Sequence, residues 1–526
     1  MIHTTPGIVS STLSGLLRRL PTPSVVVVGG GLAGLCAAIE AYKKGANVCL
    51  LEKEARIGGN SAKATSGING VPTEAQKVAG IEDTVEEFFK DTEISGGQLS
   101  VPELVKVLTE KSKEAVEWLG TFDPSIKLTV LSQCGGHSKP RTHRLAPKAP
   151  GAPPMPVGFG LIQTLGNYLS AEEQISEGRI TIETSSVVSK LLTNSHGAVT
   201  GVKISKKLED GSEEISDILS DAVILCSGGF GASALVEDKS NSLAQEFAPH
   251  VIGLPTTNGS WAQGDGVKLA RDPSVGAALT LMDQVQVHPT GYVHLQDPGN
   301  STKFLAPEAL RGHGGVLVNS EGKRFVNELG PRDYVTENIF KNSGNELMAH
   351  PKGFDALPLK AASYLILSEK AVQDYDPATI GFYAKRGLFH QTSNFDELAE
   401  QLSVDRNILY ETFQDYDDCA SGSKEDAFGK KVFPGKLLTQ PNEPYFWAVV
   451  TPSIHYTMGG VKINENTQVL NSQDQPISNL FGAGEVTGGV HGKNRLAGNS
   501  LLECVVYGRI AGQQAAHSVL NQKLLF

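Results

Sequence analysis

Only six cysteines occur in 526 residues, and none stands in a CxxC or CxxCH spacing. Cys36, Cys49, Cys134, Cys226, Cys419 and Cys504 are scattered, mostly inside apolar runs. Reduced core thiols are therefore expected, a covalently attached c-type haem is excluded, and the cysteine spacing of an iron–sulfur cluster is missing. No metal site is expected. Apolar runs long enough to cross a bilayer are absent too, so no integral membrane segment is expected. Positive charge is in the minority, with 46 Lys and Arg against 57 Asp and Glu and a net charge of −11. Without a long basic run, that balance argues against a nucleic-acid surface and leaves room for a local cationic pocket holding a small anion.

Glycine, by contrast, is abundant, and one glycine-rich stretch organises the rest. Val25 to Glu52 reads VVVVGGGLAGLCAAIEAYKKGANVCLLE. Four valines bounded by glycine fit a buried parallel strand, and Gly29, Gly31 and Gly34 supply a GxGxxG turn that opens a helix. Gly29 permits the tight turn, Gly31 lets the backbone approach a pyrophosphate, and Gly34 brings helix and strand together, so that phosphate meets the positive helix end. A second apolar run ends in Glu52, eighteen residues past Gly34, placed to accept hydrogen bonds from a ribose and to repel a 2′-phosphate. No second complete GxGxxG is present for a nicotinamide cofactor. The chain is too long for one core, so an α/β architecture is expected: a Rossmann-like dinucleotide domain with an inserted α+β capping domain.

The divisions expected are a flexible tail or targeting segment over 1–23, a first part of the cofactor domain over 24–282, a capping domain over 283–457, and a second part of the cofactor domain over 458–526. The tail has no acidic residue and carries Arg18 and Arg19, which suits either a mitochondrial presequence or a disordered arm; the cell compartment is accordingly cytoplasmic or mitochondrial. Ile57 to Gly70 is too rich in Gly, Ser and Asn for a regular element and offers backbone N–H groups to a flat cofactor. Val101 to Leu119 reads as one packing helix. Gly135 to Arg144, GGHSKPRTHR, with His137, Arg141, His143 and Arg144, reads as a solvated basic loop or as a wall of the cofactor pocket. Pro147 to Pro156 is an extended connector, and Ile180 to Ile218 suggests a small antiparallel insert turning at Asp210 and Gly211. Val223 to Cys226 is a further core strand. Gly264, Asp265 and Gly266 open a helix, Leu480 to Gly489 starts as a strand, and Asn499 to Ala511 is a helix whose N-terminal end favours negative charge.

The fingerprint, its acid, and the GGNS and small-residue segment after it resemble the succinate dehydrogenase and fumarate reductase family of FAD flavoproteins. HPTG from His288, EALRG from Glu308, NELGPRD from Asn327, IHYTMGG from Ile454 and HGKNRLAGNS from His491 extend the resemblance over nearly the whole chain, towards the soluble single-chain eukaryotic form. In members built into membrane complexes a histidine of the GGNS segment is tied covalently to the flavin. No histidine lies between Glu52 and Gly70, so the resemblance implies FAD held without a covalent bond. Its implied contacts are Gly29, Gly31, Leu32, Ala33 and Gly34 in the first turn, Glu52 and Lys53, and Gly59, Asn60, Ser61, Thr65, Ser66 and Gly67. Asp265, Gly484, Glu485, Asn499, Ser500 and Leu501 complete the set.

The resemblance implies fumarate reduced to succinate by hydride from reduced flavin. His455 and Arg495 would grip one carboxylate and His288 the other, with Arg332 as proton donor fed through Glu308 and Arg311. Such a reaction needs fixed cations, because negative charge builds on a carboxylate of a planar dianion. Arg332 would be an unusual acid; crowding among Arg311, Arg332 and Arg495 would weaken its hold on the proton. Bacterial relatives carry a threonine before the relay glutamate, where this chain has Pro307, which has neither hydroxyl nor N–H. The alternatives are a same-fold flavoenzyme acting on another enoate or a steroid, and a non-catalytic flavin-binding protein. Cationic Arg311, His455 and Arg495 speak against a steroid, and Arg332 with Glu308 against an inert protein. The electron donor is expected to be NADH, a free reduced flavin or a partner reductase.

Overall fold

The computed structural model describes residues 16–147, 155–207, 211–236, 238–354, 357–438 and 442–523. Its first half grows from strand β1 (Ser24–Val28), buried along its whole length, which turns through Gly29 to Gly31 into helix α1 (Leu32–Lys43) and returns as β2 (Asn47–Leu51). Helix α2 (Val157–Ile175) leads into β3 (Ile180–Glu183), followed later by β4 (Ala222–Leu225) and the short helix α3 (Asp265–Arg271). The second half is built on β5 (Val285–Tyr292), β6 (Val316–Val318), helix α4 (Arg332–Asn342), β7 (Ser363–Ser368), helix α5 (Glu369–Tyr375) and the long β8 (Tyr445–Thr457). The chain then returns through β9 (Gln468–Leu470), β10 (Pro476–Gly482) and the terminal helix α6 (Asn499–Lys523).

The fold is α/β. In the first sheet the spatial order is β9–β10–β4–β1–β2–β3, with every pair parallel except the β9–β10 edge. Helices α1, α2 and α6 pack on it, as do the strands Ser186–Thr193 and Val199–Lys207, which is why its own strands read as unbroken apolar runs instead of alternating. Helix α6 crosses α1 at close range: a Cβ on Gly508 would stand 2.5 Å from the Ala33 carbonyl oxygen and one on Gly512 2.3 Å from that of Ala37. Glycine is required at both places.

The second sheet is antiparallel, in the order β5–β8–β7–β6, with His390–Thr392 beside β8. Both of its faces are buried. Tyr364, Ile366, Trp447 and Val449 enter one apolar cluster, while Leu365, Leu367, Ala448 and Val450 enter another, the two-residue alternation of a sandwiched strand.

Several expectations need correction. Leu16–Arg19 is not part of a free tail. It forms a strand parallel to Glu213–Leu219, and Arg18 pairs with Glu183 at 2.6 Å; residues 1–15 lie outside those described. The antiparallel insert is present as Ser186–Thr193, Val199–Lys207 and Glu213–Leu219, but Ile180–Glu183 leaves it to pair with β2. Asp210 and most of the proline-rich connector lie outside the described residues. The single helix expected over Val101–Leu119 is two, Pro102–Glu110 and Ser112–Leu119, meeting where the Ser112 hydroxyl bonds the backbone of Val71. All six cysteines are free and buried, as expected. Among the described residues no helix is long and apolar enough to cross a membrane.

Candidate active site

A cavity of about 840 Å³ opens where β1 and β2 end, the place at which parallel sheets bind ligands. Gly29 has φ +111°, and a Cβ there would lie 2.4 Å from the Cys226 carbonyl oxygen. A Cβ on Gly34 would fall 1.8 Å from the Gly29 oxygen, so this glycine closes the helix onto the turn and lies off the cavity wall. At Gly31 the nearest atom to a Cβ is the Ser61 hydroxyl at 3.7 Å, so the space above the turn is open. Glu52 sits at the end of β2. One of its oxygens accepts from Gly30 N at 2.8 Å and the other from Glu54 N at 2.8 Å, which bolts the acid to the turn while it still lines the cavity.

Gly31, Leu32, Ala33, Lys53, Gly59, Asn60, Ser61, Thr65, Ser66 and Gly67 line the same space, with Asp265, Gly484, Glu485, Ser500 and Leu501 across from them. Lys53 is held by Asp265 at 2.5 Å. Burial pushes the Glu485 carboxyl up to about 7, against the pull of its bond from Thr457 N at 3.0 Å. Two polar atoms of the wall, Thr65 Oγ1 and Trp261 Nε1, are buried without a partner. Asn499 stands behind the wall: it accepts from Asn69 at 2.7 Å and donates to Thr92 at 3.3 Å in a buried network.

At the part of the cavity lined by Arg332, His455 and Arg495, cations collect. Arg332 opens α4 and lines the cavity. Its Nε donates to Glu308 Oε2 at 2.8 Å and its Nη1 to Gln286 Oε1 at 2.8 Å, which leaves Nη2 as the nitrogen without a protein partner. Glu308 receives Gly135 N on its other oxygen at 2.7 Å, and Arg311 stands 4.0 Å away. Burial raises the Glu308 carboxyl, but Arg332 and Arg311 outweigh it and hold the group at about 2. Arg311 donates to the Glu328 carbonyl at 2.5 Å, yet its Nε and Nη2 have no acceptor. Burial, and then the Arg332 charge, bring the Arg495 guanidinium down to about 10. Arg495 lies 4.4 Å above the Tyr456 ring, whose hydroxyl is fixed by Glu503 at 2.5 Å; Glu503 in turn holds His491 at 2.9 Å.

His288 and His455 meet edge to face with ring centroids 5.2 Å apart. Burial, followed by the neighbouring arginines, pushes both well below the ordinary imidazole range, so both are neutral at pH 7. Thr290 N donates to His288 Nδ1 at 3.2 Å, which places the ring proton on Nε2, and that atom is buried with no acceptor. His455 Nδ1 lies 2.7 Å from the Thr257 hydroxyl. Arg332, His455 and Arg495 reach the cavity surface; His288, Glu308 and Arg311 form the layer behind them.

The loop Gly135 to Arg144 is exposed at Gly136 and Ser138 but buries His137, Arg141 and His143. Arg141 is fully buried between Asp83, at 2.8 Å, and Asp91. His137 bonds the Ala497 carbonyl at 2.8 Å, and only Arg144 reaches the cavity. Sequence reasoning also passed over Gln286, whose amide joins Arg332 to Asn494 at 2.7 Å and to the Arg495 carbonyl at 3.1 Å. Its signal was the strand period: Gln286 and His288 are two apart on β5 and share a face. Lys63, Asn258 and Tyr375 are further wall residues with no motif to announce them.

Residues 24–501 match the family described as FAD binding domain. The chain is 38% identical to the fumarate reductase of Schizosaccharomyces pombe over 97% of its own length and 93% of that protein. It is 39% identical to fumarate reductase 1 of Saccharomyces cerevisiae over 94% of this chain and 98% of that one. Among solved structures, the open conformation of a flavocytochrome c3 fumarate reductase is similar with a TM-score of 0.71 at 34% identity, covering 95% of this chain and 79% of the other.

Proposed function

We propose, from the premise that the chain belongs to the FAD binding domain family and within it to the soluble fumarate reductases, that it reduces fumarate to succinate at the cationic corner of its cavity. FAD is the cofactor. The walls suit it: the space above Gly31 is open, the N-terminal end of α1 points at it, and Thr65 Oγ1 and Trp261 Nε1 lack acceptors that a bound dinucleotide would provide. With no histidine in the segment after Glu52, we infer that FAD is held without a covalent bond; acid precipitation should then leave the flavin in solution and the protein colourless.

Reduced FAD supplies the hydride. The chain's own residues do the rest. Arg495 and His455 bind one carboxylate at the cavity wall and His288 Nε2 donates to the other, so charge developing in the transition state meets donors already oriented in a closed site. Arg332 delivers the proton from Nη2. Its Nε and Nη1 are fixed by Glu308 and Gln286, so Nη2 is the nitrogen left to meet the carbanion. Glu308, held ionised beside Arg332 Nε, returns the proton through Arg311 after turnover. Residues 283–457 act as the cap that brings His288, Glu308, Arg311, Arg332 and His455 onto the cofactor half.

The observation that carries this reading is the set of buried, unsatisfied N–H groups on His288, Arg311 and Arg495 around Arg332. Donors left without acceptors in a protein interior mark where an anion belongs. The test is to supply electrons from reduced methyl viologen without air. Fumarate should drive its oxidation with matching appearance of succinate, and no fumarate-dependent oxidation would sink the proposal. NADH, free reduced flavins and cell fractions containing reductases can then replace the viologen to find the natural donor.

A further inference from the structure

Besides Arg332 and Arg495, one more arginine lines the cavity. Arg144 ends a three-residue strand, Thr142–Arg144, that is pinned by Val130–Ser132 on one side and Ile68–Asn69 on the other, so its Cα is fixed by the cofactor half. Unlike Arg332 and Arg495 it is only partly buried, and the cavity it lines also carries the exposed rings of Phe304 and Phe382, which mark an end open to solvent. Tyr375, on the cap helix α5, lines the same space and feels the Arg144 charge. Cys134, behind the wall, feels the charges of Glu308, Arg332 and Arg144 together, so Arg144 lies within electrostatic reach of the inner cluster.

Its bonding is unusual. Arg141, three residues earlier, spends its guanidinium on Asp83 and Asp91, and the buried Arg324 and Arg332 each face a carboxylate. Arg144 makes neither an ion pair nor a side-chain hydrogen bond with any described residue, and its Nε is buried with no acceptor. A planar fork of donors kept free at a cavity mouth is suited to a carboxylate. The need is physical as well. A protein of net charge −11 repels a dianion on approach, and a fixed cation at the opening offsets that repulsion within a Debye length of roughly 10 Å.

We propose that Arg144 is an outer carboxylate site: it receives one end of the incoming dicarboxylate at the cavity mouth, between the Thr142–Arg144 strand and the cap, and hands it to the inner clamp of His288, His455 and Arg495. This rests on the fumarate reductase reading above. Arg144 touches substrate during capture and takes no part in hydride or proton transfer.

The test compares R144Q and R144K with the unaltered holoenzyme, first for FAD content by absorbance and for melting temperature. For R144Q both should match the parent. Its KM for fumarate at low ionic strength should rise about tenfold with kcat within twofold, and the gap should narrow in 0.5 M salt, because a charge at the mouth is screened. R144K should recover most of the loss. Binding of succinate to the oxidised enzyme, followed by the change in flavin absorbance, should weaken by a similar factor without any turnover. An unchanged KM at low salt overturns the proposal, as does loss of FAD. A shift confined to the KM of a phosphorylated donor such as reduced FMN, absent with reduced riboflavin, also overturns it and reassigns Arg144 to the donor. If the unaltered protein neither turns over fumarate nor responds to succinate, the function assigned above has failed, an outcome distinct from Arg144 being indifferent.

Discussion

Two groups of buried charge, one around Glu328 and one around Glu308, are bonded in opposite ways. In the first, Glu328 receives Arg324 at 2.9 and 3.0 Å and Lys430 at 2.9 Å, and Arg324 reaches Asp426 at 2.8 Å. None of these side chains leaves a buried nitrogen or oxygen unpaired. In the second, Arg332 and Arg311 stand 2.8 and 4.0 Å from Glu308, Arg495 has no ion pair among the described residues, and N–H groups on Arg311 and Arg495 are left over. Both carboxylates are pushed up by burial and brought to about 2 by their cations. Charge and burial are alike, and satisfaction is what separates them. A saturated network ties residues 324–328 to Asp426 and Lys430, whereas an unsaturated one is shaped for an anion that arrives later.

The largest contrast should come from R332K. Losing the proton donor should cut turnover by about 10³-fold or more while FAD content stays unchanged, measured with saturating fumarate. E328Q should do the reverse, destabilising the protein by about 3–5 kcal/mol by stranding Arg324 and Lys430, with kcat of the folded enzyme within tenfold of the parent; denaturant titration and assay of the same samples read both. Acid should erode the two clusters together. Each carboxyl has a folded pKa depressed from 4.5 to about 2, so its contribution is fully present above 4.5 and is lost as pH falls from there towards 2. A stability curve over that range should be flatter in E308Q and in E328Q than in the parent. The smallest effect should come from P307T, which adds a hydroxyl beside Glu308: a net hydrogen bond of about 1 kcal/mol corresponds to a fall in fumarate KM of about fivefold at most.

The same contrast explains what was legible in the sequence. The turn at Gly29, Gly31 and Gly34 and the acid at Glu52 were readable because the turn, the helix it opens and the acid that accepts from Gly30 are close in sequence, while the crowding of Gly29 by the Cys226 carbonyl was not. Motif positions Arg332, His455 and Arg495 were found together at the cavity surface through resemblance, not through any local pattern. Arg141 misled because its partners Asp83 and Asp91 are 58 and 50 residues away, so a guanidinium that reads as solvated is in fact saturated. Leu16–Arg19 was missed for the same reason, since its strand partner begins near residue 213. Gln286 carried a usable sign in its two-residue spacing from His288, but an amide announces no chemistry until the arginine it holds is in place. Asn499 belonged to a recognisable helix start, and nothing local told that Ser500 and Leu501 would face the cavity while Asn499 turned to Asn69 and Thr92.

The most direct test of a site built for a planar anion with two charged ends is anaerobic reoxidation of the reduced protein, followed at the flavin absorbance, with fumarate, monomethyl fumarate, crotonate and a 3-ketosteroid offered separately. Fumarate should restore the oxidised spectrum at least a hundredfold faster than any of the others. Comparable rates with crotonate or the monoester would mean that the second carboxylate is not gripped, and the account of the cationic corner would be contradicted.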